Sequence, residues 1–167
     1  MKIWRYLKEE AIRLEMVTVC DPPAEGVSEA RWRRECKERI LDELVSLLEA
    51  TARIGNRTKL VADFTNRERK ASTALSHGIA VPHIRSMQAK DFMLAFGRST
   101  QGYDFESLDG QPTHLFFAMA APPYDDSFYL KVFKSLAEML RYESFRQELM
   151  TAGSAGEIIR AVRSMEQ

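Results

Sequence analysis

Nine consecutive residues, Leu115 to Pro123, read Leu-Phe-Phe-Ala-Met-Ala-Ala-Pro-Pro. This run limits the fold more than any other feature of the chain. It is the longest apolar stretch, and it is about half the ~18 residues that a membrane-spanning helix requires. A short, uninterrupted apolar run stopped by proline reads as a strand buried on both faces, predicted here over His114 to Ala120. Such a strand needs covering layers above and below. A second strand is expected from Phe92 to Gly97. Between the two lies a turn-rich segment, Thr100 to Pro112, broken by Gly102, Asp109-Gly110 and Pro112.

The covering layers are legible as helical periodicity. From Ser28 to Ala52, Trp32, Cys36, Ile40, Leu44, Leu47 and Leu48 recur along one helix face, with Arg and Glu on the other and Gly55 as a stop. Asn56 to Arg69 is a second helix, with Leu60, Val61 and Phe64 inward. Ser127 to Tyr142 is a third, with Leu130, Phe133, Leu136, Ala137 and Leu140 on one face. A short helix spans Phe145 to Ala152. Ser154-Ala155-Gly156-Glu157 has the form of a capping box opening a last helix through Ile158, Ile159 and Val162. At the N-terminus, Lys2 to Ile12 is predicted as a short amphipathic helix and Glu15 to Cys20 as a strand, stopped by Asp21-Pro22-Pro23. Ala71 to Arg85 is expected to form a strand and then a tight loop at Pro82-His83. Strands interleaved with helices predict one α/β domain over residues 1–167, its sheet covered by helices on both faces.

Charge and cysteine content narrow the function classes. Lys plus Arg equals Asp plus Glu, at 24 each. That argues against a nucleic-acid partner or an anionic membrane, which select a positive excess. The two cysteines, Cys20 and Cys36, form no CxxC pair and no ligand cluster, so they are read as small buried hydrophobes in a reducing compartment. The first ten residues lack an apolar signal core, so a cytoplasmic location without membrane insertion is expected.

The three histidines are the candidate chemical groups. His83 follows Pro82 at the end of an apolar stretch, so its imidazole is carried on stiff backbone. A neutral imidazole, with an unperturbed pKa near 6.5, is a competent nucleophile at pH 7. It can take a phosphoryl group on a ring nitrogen and pass it on through the labile phosphorus–nitrogen bond. The other reading of His83 is a loop histidine bonded to backbone. His77 lies six residues earlier, which is not a helical ligand spacing, and no metal site is expected. A metal-dependent hydrolase built on His77, His83, His114 and Asp125 or Asp126 is a weaker alternative. Those acids fit a helix start better. His114 opens an apolar strand.

Arg67-Glu68, Ser72-Thr73 and Gly78-Ile79-Ala80-Val81-Pro82-His83 together resemble the active-site signature of the enzyme IIA domain of the fructose/mannitol class, in the phosphoenolpyruvate-dependent sugar phosphotransferase system. Arg67 stands sixteen residues before His83, as the signature asks. Phe105, Leu108-Asp109-Gly110-Gln111-Pro112 and the apolar strand ending at Pro122 resemble the second block. The resemblance runs over roughly residues 30–162 and is strongest to the free-standing nitrogen-regulatory members.

The resemblance implies a central mixed β-sheet flanked by helices on both faces, with His83 near the sheet's edge. It implies that His83 is the phosphorylated residue and needs no cofactor. The donor would be the histidine-containing phosphocarrier protein. Onward partners would be a permease IIB component or a regulated kinase, channel or transcription factor. With no permease segment in the chain, the expectation tilts towards regulation. Arg67, the loop residues Ser76, His77 and Gly78, and Tyr129 would hold the phosphoryl group. The chain departs from the signature where glycines are usual, reading Ala74-Leu75-Ser76-His77-Gly78 after Ser72-Thr73. It places Tyr129 where a second histidine is common. These departures motivate an alternative, a non-catalytic module of the same fold that regulates partners by binding alone.

Overall fold

The computed structural model describes residues 1–51 and 53–167. Its spine is an antiparallel pair, β4 (Met93–Tyr103) and β5 (Thr113–Ala121), in a register that sets Phe96 opposite Phe117 and Leu94 opposite Met119. β1 (Leu7–Arg13) runs parallel to β4 on one side. On the other side two short strands, β2 (Ile79–Ala80) and β3 (His83–Arg85), lie parallel to β5 one after the other. The sheet is therefore mixed, ordered β1-β4-β5 and then β2 with β3.

Alternation along β4 and β5 divides the core. Met93, Ala95, Phe116, Ala118 and Ala120 face α1 (Glu29–Glu49) and α2 (Arg57–Lys70), where Ile40, Leu44, Leu48, Leu60 and Phe64 meet them. Leu94, Phe96, Leu115, Phe117 and Met119 face the opposite layer of α3 (Phe128–Met139), α4 (Glu143–Thr151) and α5 (Ala155–Met165). A strand apolar at every position has to be covered on both sides, and Leu115 to Ala121 are all buried. Helices do flank both faces, as the apolar run requires.

Local signals set the helix starts. Ser28 Oγ accepts from the Arg31 amide at 3.1 Å, Asn56 Oδ1 from Lys59 at 3.0 Å and Ser154 Oγ from Glu157 at 3.2 Å. The Glu157 carboxylate reaches back to the Gly153 amide rather than to Ser154, so the capping box is displaced by one residue. α1 ends at Glu49, and Ala52, the end expected for it, lies outside the described residues.

Two N-terminal expectations are corrected. Lys2 to Ile12 is not a helix but a 3-10 turn over Ile3–Tyr6 followed by β1. Ile3, Leu7 and Ala11 are buried at four-residue intervals, which imitates a helix. Ile3 and Leu7 pack into the α3–α5 layer and Ala11 into the α1–α2 layer, with a register shift against β4 between Leu7 and Ile12. Glu15 to Cys20 is not a strand. The Glu43 carboxylate, on α1, takes its amides instead, accepting from Val17 at 2.8 Å and Thr18 at 2.9 Å, and from Thr18 Oγ1 at 2.6 Å. Val17 and Val19 consequently stay exposed. Cys36 is buried and Cys20 half-buried, both as free thiols. Burial and the neighbouring Cys36 push the Cys20 thiol up to about 12. No described helix is long and apolar enough to cross a membrane.

Candidate functional site

Pro82 has no amide hydrogen, so the line of β2 is interrupted there and resumes at His83. His83 is thus not in a loop. It opens β3 opposite Met119, on the edge of the sheet. Its Nδ1 lies 2.7 Å from the Val81 carbonyl oxygen. A carbonyl only accepts, so Nδ1 carries the proton and the lone pair is on Nε2. The ring stacks at 37° on Phe133 of α3 with centroids 4.5 Å apart, and Tyr129, one turn earlier, stands 6.2 Å away. One ring nitrogen is thus bonded to backbone, as one reading of His83 expected, though from a strand and not a loop, and the other nitrogen has no partner in that bond.

Burial lowers the pKa of His83 below its ordinary 6.5, and the charge of Arg67 lowers it further. The hydrogen bond to Val81 and the Glu68 carboxylate oppose this without reversing it. The imidazole is neutral at pH 7.

His83 looks into a groove of about 710 Å³ between one side of α2, β3 and the start of α3. Its lining carries four cations, Lys59, Arg67, Lys70 and Arg85, against one acid, Asp63. The Asp63 carboxylate is occupied by the Ser86 hydroxyl at 2.6 Å. A concavity of similar volume, about 730 Å³, lies by Met1, Ser135, Tyr142 and Glu166 and contains no histidine, so size does not choose between them. Arg67 lines the groove from the last turn of α2 and donates through Nη1 to the Ala71 carbonyl at 2.8 Å. It is both a cation at a helix C-terminus and a neighbour of His83. Arg85 is two residues beyond His83 and so on the same side of the strand. Its guanidinium lies 5.8 Å from the Tyr129 ring centroid and bonds the Asp125 carbonyl at 3.0 Å.

Of the expected site residues, Arg67, Tyr129 and His83 come together. Ser76, His77 and Gly78 do not, and this corrects the phosphate-holding role expected for them. They form a hairpin tip between Leu75 and Ile79, whose backbones pair at 2.7 Å. Gly78 accepts from the amides of His114 and Leu115 at the beginning of β5, whereas His83 pairs four residues further along at Met119. At ~3.3 Å per residue that is a separation of about 13 Å. The His77 amide is already spent on the Asp109 carboxylate at 3.0 Å. The tip keeps the positive φ its tight turn demands, 67° at His77 and 77° at Gly78. The missing glycines therefore bear on this turn and not on the groove. Nor do the histidines converge, since His114 Nδ1 is bonded to the Ser99 carbonyl at 2.8 Å. Among the described residues no three His, Cys, Asp or Glu side chains gather as metal ligands. Asp125 instead caps α3, accepting from the Phe128 amide at 2.7 Å.

Phe133 and Arg85 were not singled out from sequence as site residues. Phe133 reads as an ordinary apolar position on α3. Arg85 was findable, because a strand beginning at His83 carries its i+2 residue on the same face.

Comparison with known proteins adds an independent line. Residues 32–165 match the family model described as "Phosphoenolpyruvate-dependent sugar phosphotransferase system, EIIA 2". The chain is 37% identical over 123 residues to the "PTS system fructose-specific EIIABC component" of Bacillus subtilis, which is 74% of this chain but only 19% of that longer protein. It is 30% identical over 120 residues to the "Nitrogen regulatory protein" of Bradyrhizobium diazoefficiens, 71% of this chain and 77% of that one. The crystal structure of the nitrogen regulatory protein IIA-Ntr from Neisseria meningitidis superposes with a TM-score of 0.76 at 26% identity, covering 96% of this chain and 98% of the other.

Proposed function

The chain belongs to the phosphoenolpyruvate-dependent sugar phosphotransferase system EIIA 2 family, and on that premise we propose that His83 is its phosphoryl-accepting residue, with Nε2 as the acceptor atom. The observation that carries this is the 2.7 Å contact between Nδ1 and the Val81 carbonyl, which commits the proton to one nitrogen and the lone pair to the other. The donor is the phosphohistidine of the histidine-containing phosphocarrier protein. As the Nε2–phosphorus bond forms, the donor's phosphorus–nitrogen bond breaks and its electron pair stays on the donor imidazole. No proton leaves His83, since Nδ1–H remains on Val81.

The product brings a dianionic group into the groove. Arg67, Lys70 and Arg85 supply the opposing charge, and Tyr129 contributes a neutral hydroxyl donor. Positive charge that a second histidine would have brought thus comes from Arg85, stacked over Tyr129. Phe133 covers one face of the ring against water. The phosphorylated and free forms would differ mainly in the charge of this one groove. That suits either onward transfer to a permease IIB component or control of a kinase, channel or transcription factor. The likeness to nitrogen regulatory proteins favours control.

The test is labelling from phosphoenolpyruvate through enzyme I and the carrier protein. Wild type takes up one phosphoryl group per chain and His83→Ala takes up none. A wild type that never labels, yet still retains a partner, would instead make the chain a binding module of the same fold.

A further inference from the structure

A buried ion pair lies behind the groove, and no part of the phosphoryl chemistry touches it. Lys37 of α1 and Glu68 of α2 meet with Nζ 3.1 Å from Oε1, their side chains 7% and 4% exposed. Nothing in the periodicity of α1 marks Lys37 as interior. Its ammonium also lies 4.6 Å from the Phe105 ring centroid and 3.6 Å from the half-exposed Glu106 carboxylate. Burying two charges is costly, and hydrophobic residues of similar volume often hold a fold as well or better. A pair retained in such a place calls for a role beyond stability.

What the pair holds is a single residue. Glu68 Oε1 accepts from the Thr73 amide at 2.8 Å and Oε2 from the Thr73 hydroxyl at 2.7 Å. Both carboxylate oxygens are thereby committed to one neighbour, and Lys37 neutralises the charge that makes the bonds strong. Thr73 in turn accepts, through its carbonyl, from the Val81 amide at 3.1 Å. Val81 is the residue whose carbonyl takes the His83 proton. The sequence of contacts is unbroken: Lys37, Glu68, Thr73, Val81, His83. Every link is short and most are buried, in a region where polar networks are strengthened by low dielectric.

We propose that Lys37 and Glu68 are positioning residues for His83: through Thr73 they pin the Val81 backbone by its amide, which restricts where the Val81 carbonyl of the next peptide unit lies, and so hold the imidazole with its proton on Nδ1 and Nε2 free. The proposal rests on His83 being the acceptor, but its central claim concerns the tautomer and is measurable without any phosphoryl donor. Partners that orient a metal-ligating imidazole change affinity or activity by about 10–100-fold when lost, and the low end of that scale is expected here.

Removing only one charge would strand the other and risk unfolding, so two variants are used. Lys37→Met/Glu68→Gln removes both charges together, and Thr73→Val removes one bond with no change in charge. Ring nitrogen NMR shifts of His83 in the full chain report the tautomer, and label uptake from the phosphorylated carrier reports the rate. Wild type should show Nδ1–H alone. The double variant, folded by circular dichroism, should show a mixture of tautomers with uptake at least about tenfold slower. Thr73→Val should shift in the same direction, and Thr73→Ser should restore both readouts. A folded variant of either kind with an unchanged tautomer and a rate within twofold of wild type overturns the proposal. If the double variant does not fold, Thr73→Val against Thr73→Ser decides it alone. If wild type takes no label, the acceptor assignment fails, while the NMR comparison still decides whether these residues orient His83.

Discussion

The imidazole of His83 and the ring of Phe133 lie 4.5 Å apart at 37°, so the histidine on β3 is roofed by a side chain from α3. A phosphohistidine in this position would be shielded from water on its Phe133 face. Phe133→Leu keeps the volume nearly constant and removes the flat cover. It should leave label uptake within about threefold of wild type, shorten the lifetime of the phosphorylated protein several-fold, and cost less than ~1.5 kcal/mol of stability. A chase with unlabelled buffer, following release of inorganic phosphate, measures the lifetime.

Arg85 supplies a charge rather than a surface. Arg85→Gln should slow phosphoryl uptake by about tenfold, corresponding to ~1.4 kcal/mol, the low end for one charge-assisted contact. Arg85→Lys should recover most of it. The arginine also ties the Asp125 carbonyl at 3.0 Å, so the lysine variant separates lost charge from a loosened α3 entry. Initial rates against carrier concentration check both. A Gln variant as fast as wild type would remove Arg85 from the site.

The pH dependence has a definite sign. Burial, reinforced by Arg67, sets the His83 pKa below 6.5. The ring is therefore less protonated than a free histidine at the same pH. Uptake should fall with acid at a lower pH than the titration of a free histidine would give. Arg67→Gln should move that fall to higher pH, because a charge opposing protonation has gone. The folded state binds fewer protons here than the unfolded state. The stability contribution is accordingly present above about pH 6.5 and is lost as pH drops through the folded pKa. An NMR titration of His83 in both proteins gives the two midpoints directly.

The N-terminal segment depends on one carboxylate. Burial would raise the Glu43 pKa, but bonds from Thr18, Val17 and Arg13 outweigh it and hold the group below its ordinary value. Its stabilising effect is complete above the unfolded carboxylate range and disappears as pH falls through the folded pKa. Glu43→Leu leaves the amides of Val17 and Thr18 without their acceptor. It should cost about 2–3 kcal/mol and open residues 14–20 to protease before the core yields. Thermal melts and limited proteolysis test this at neutral pH, where groove chemistry should be unaffected.

The sheet was legible wherever burial alone dictates pattern. The apolar run of β5 and the periodic faces of the long helices follow from what must be hidden from water, except that Leu130, expected on the inner face of α3, is exposed and Val132 and Met139 are buried instead. His83 was also visible as a candidate, since an imidazole after proline is carried on stiff backbone, but the role proposed for it came from the resemblance of the surrounding blocks. Position along a strand was not legible. Ser76, His77 and Gly78 are close to His83 in sequence, yet an extended chain turns five residues into a distance no side chain there bridges. The segment around Val17 misled for another reason. Its β-branched residues favour extended backbone, but whether extended backbone joins a sheet depends on which group takes its amides, and that group is Glu43, more than twenty residues away. Lys37 was invisible because one buried cation in an amphipathic helix leaves the apolar period intact.

Arg67 and Glu68 are neighbours on the last turn of α2, one lining the groove and the other underneath it against Thr73. Successive helical residues point about 100° apart. A one-residue insertion or deletion within α2 would rotate this pair out of both places together: a deletion turns the acid towards the groove, and an insertion turns the guanidinium towards the interior. The stretch from Asn56 to Lys70 should consequently resist changes in length far more firmly than changes in composition on its outer surface.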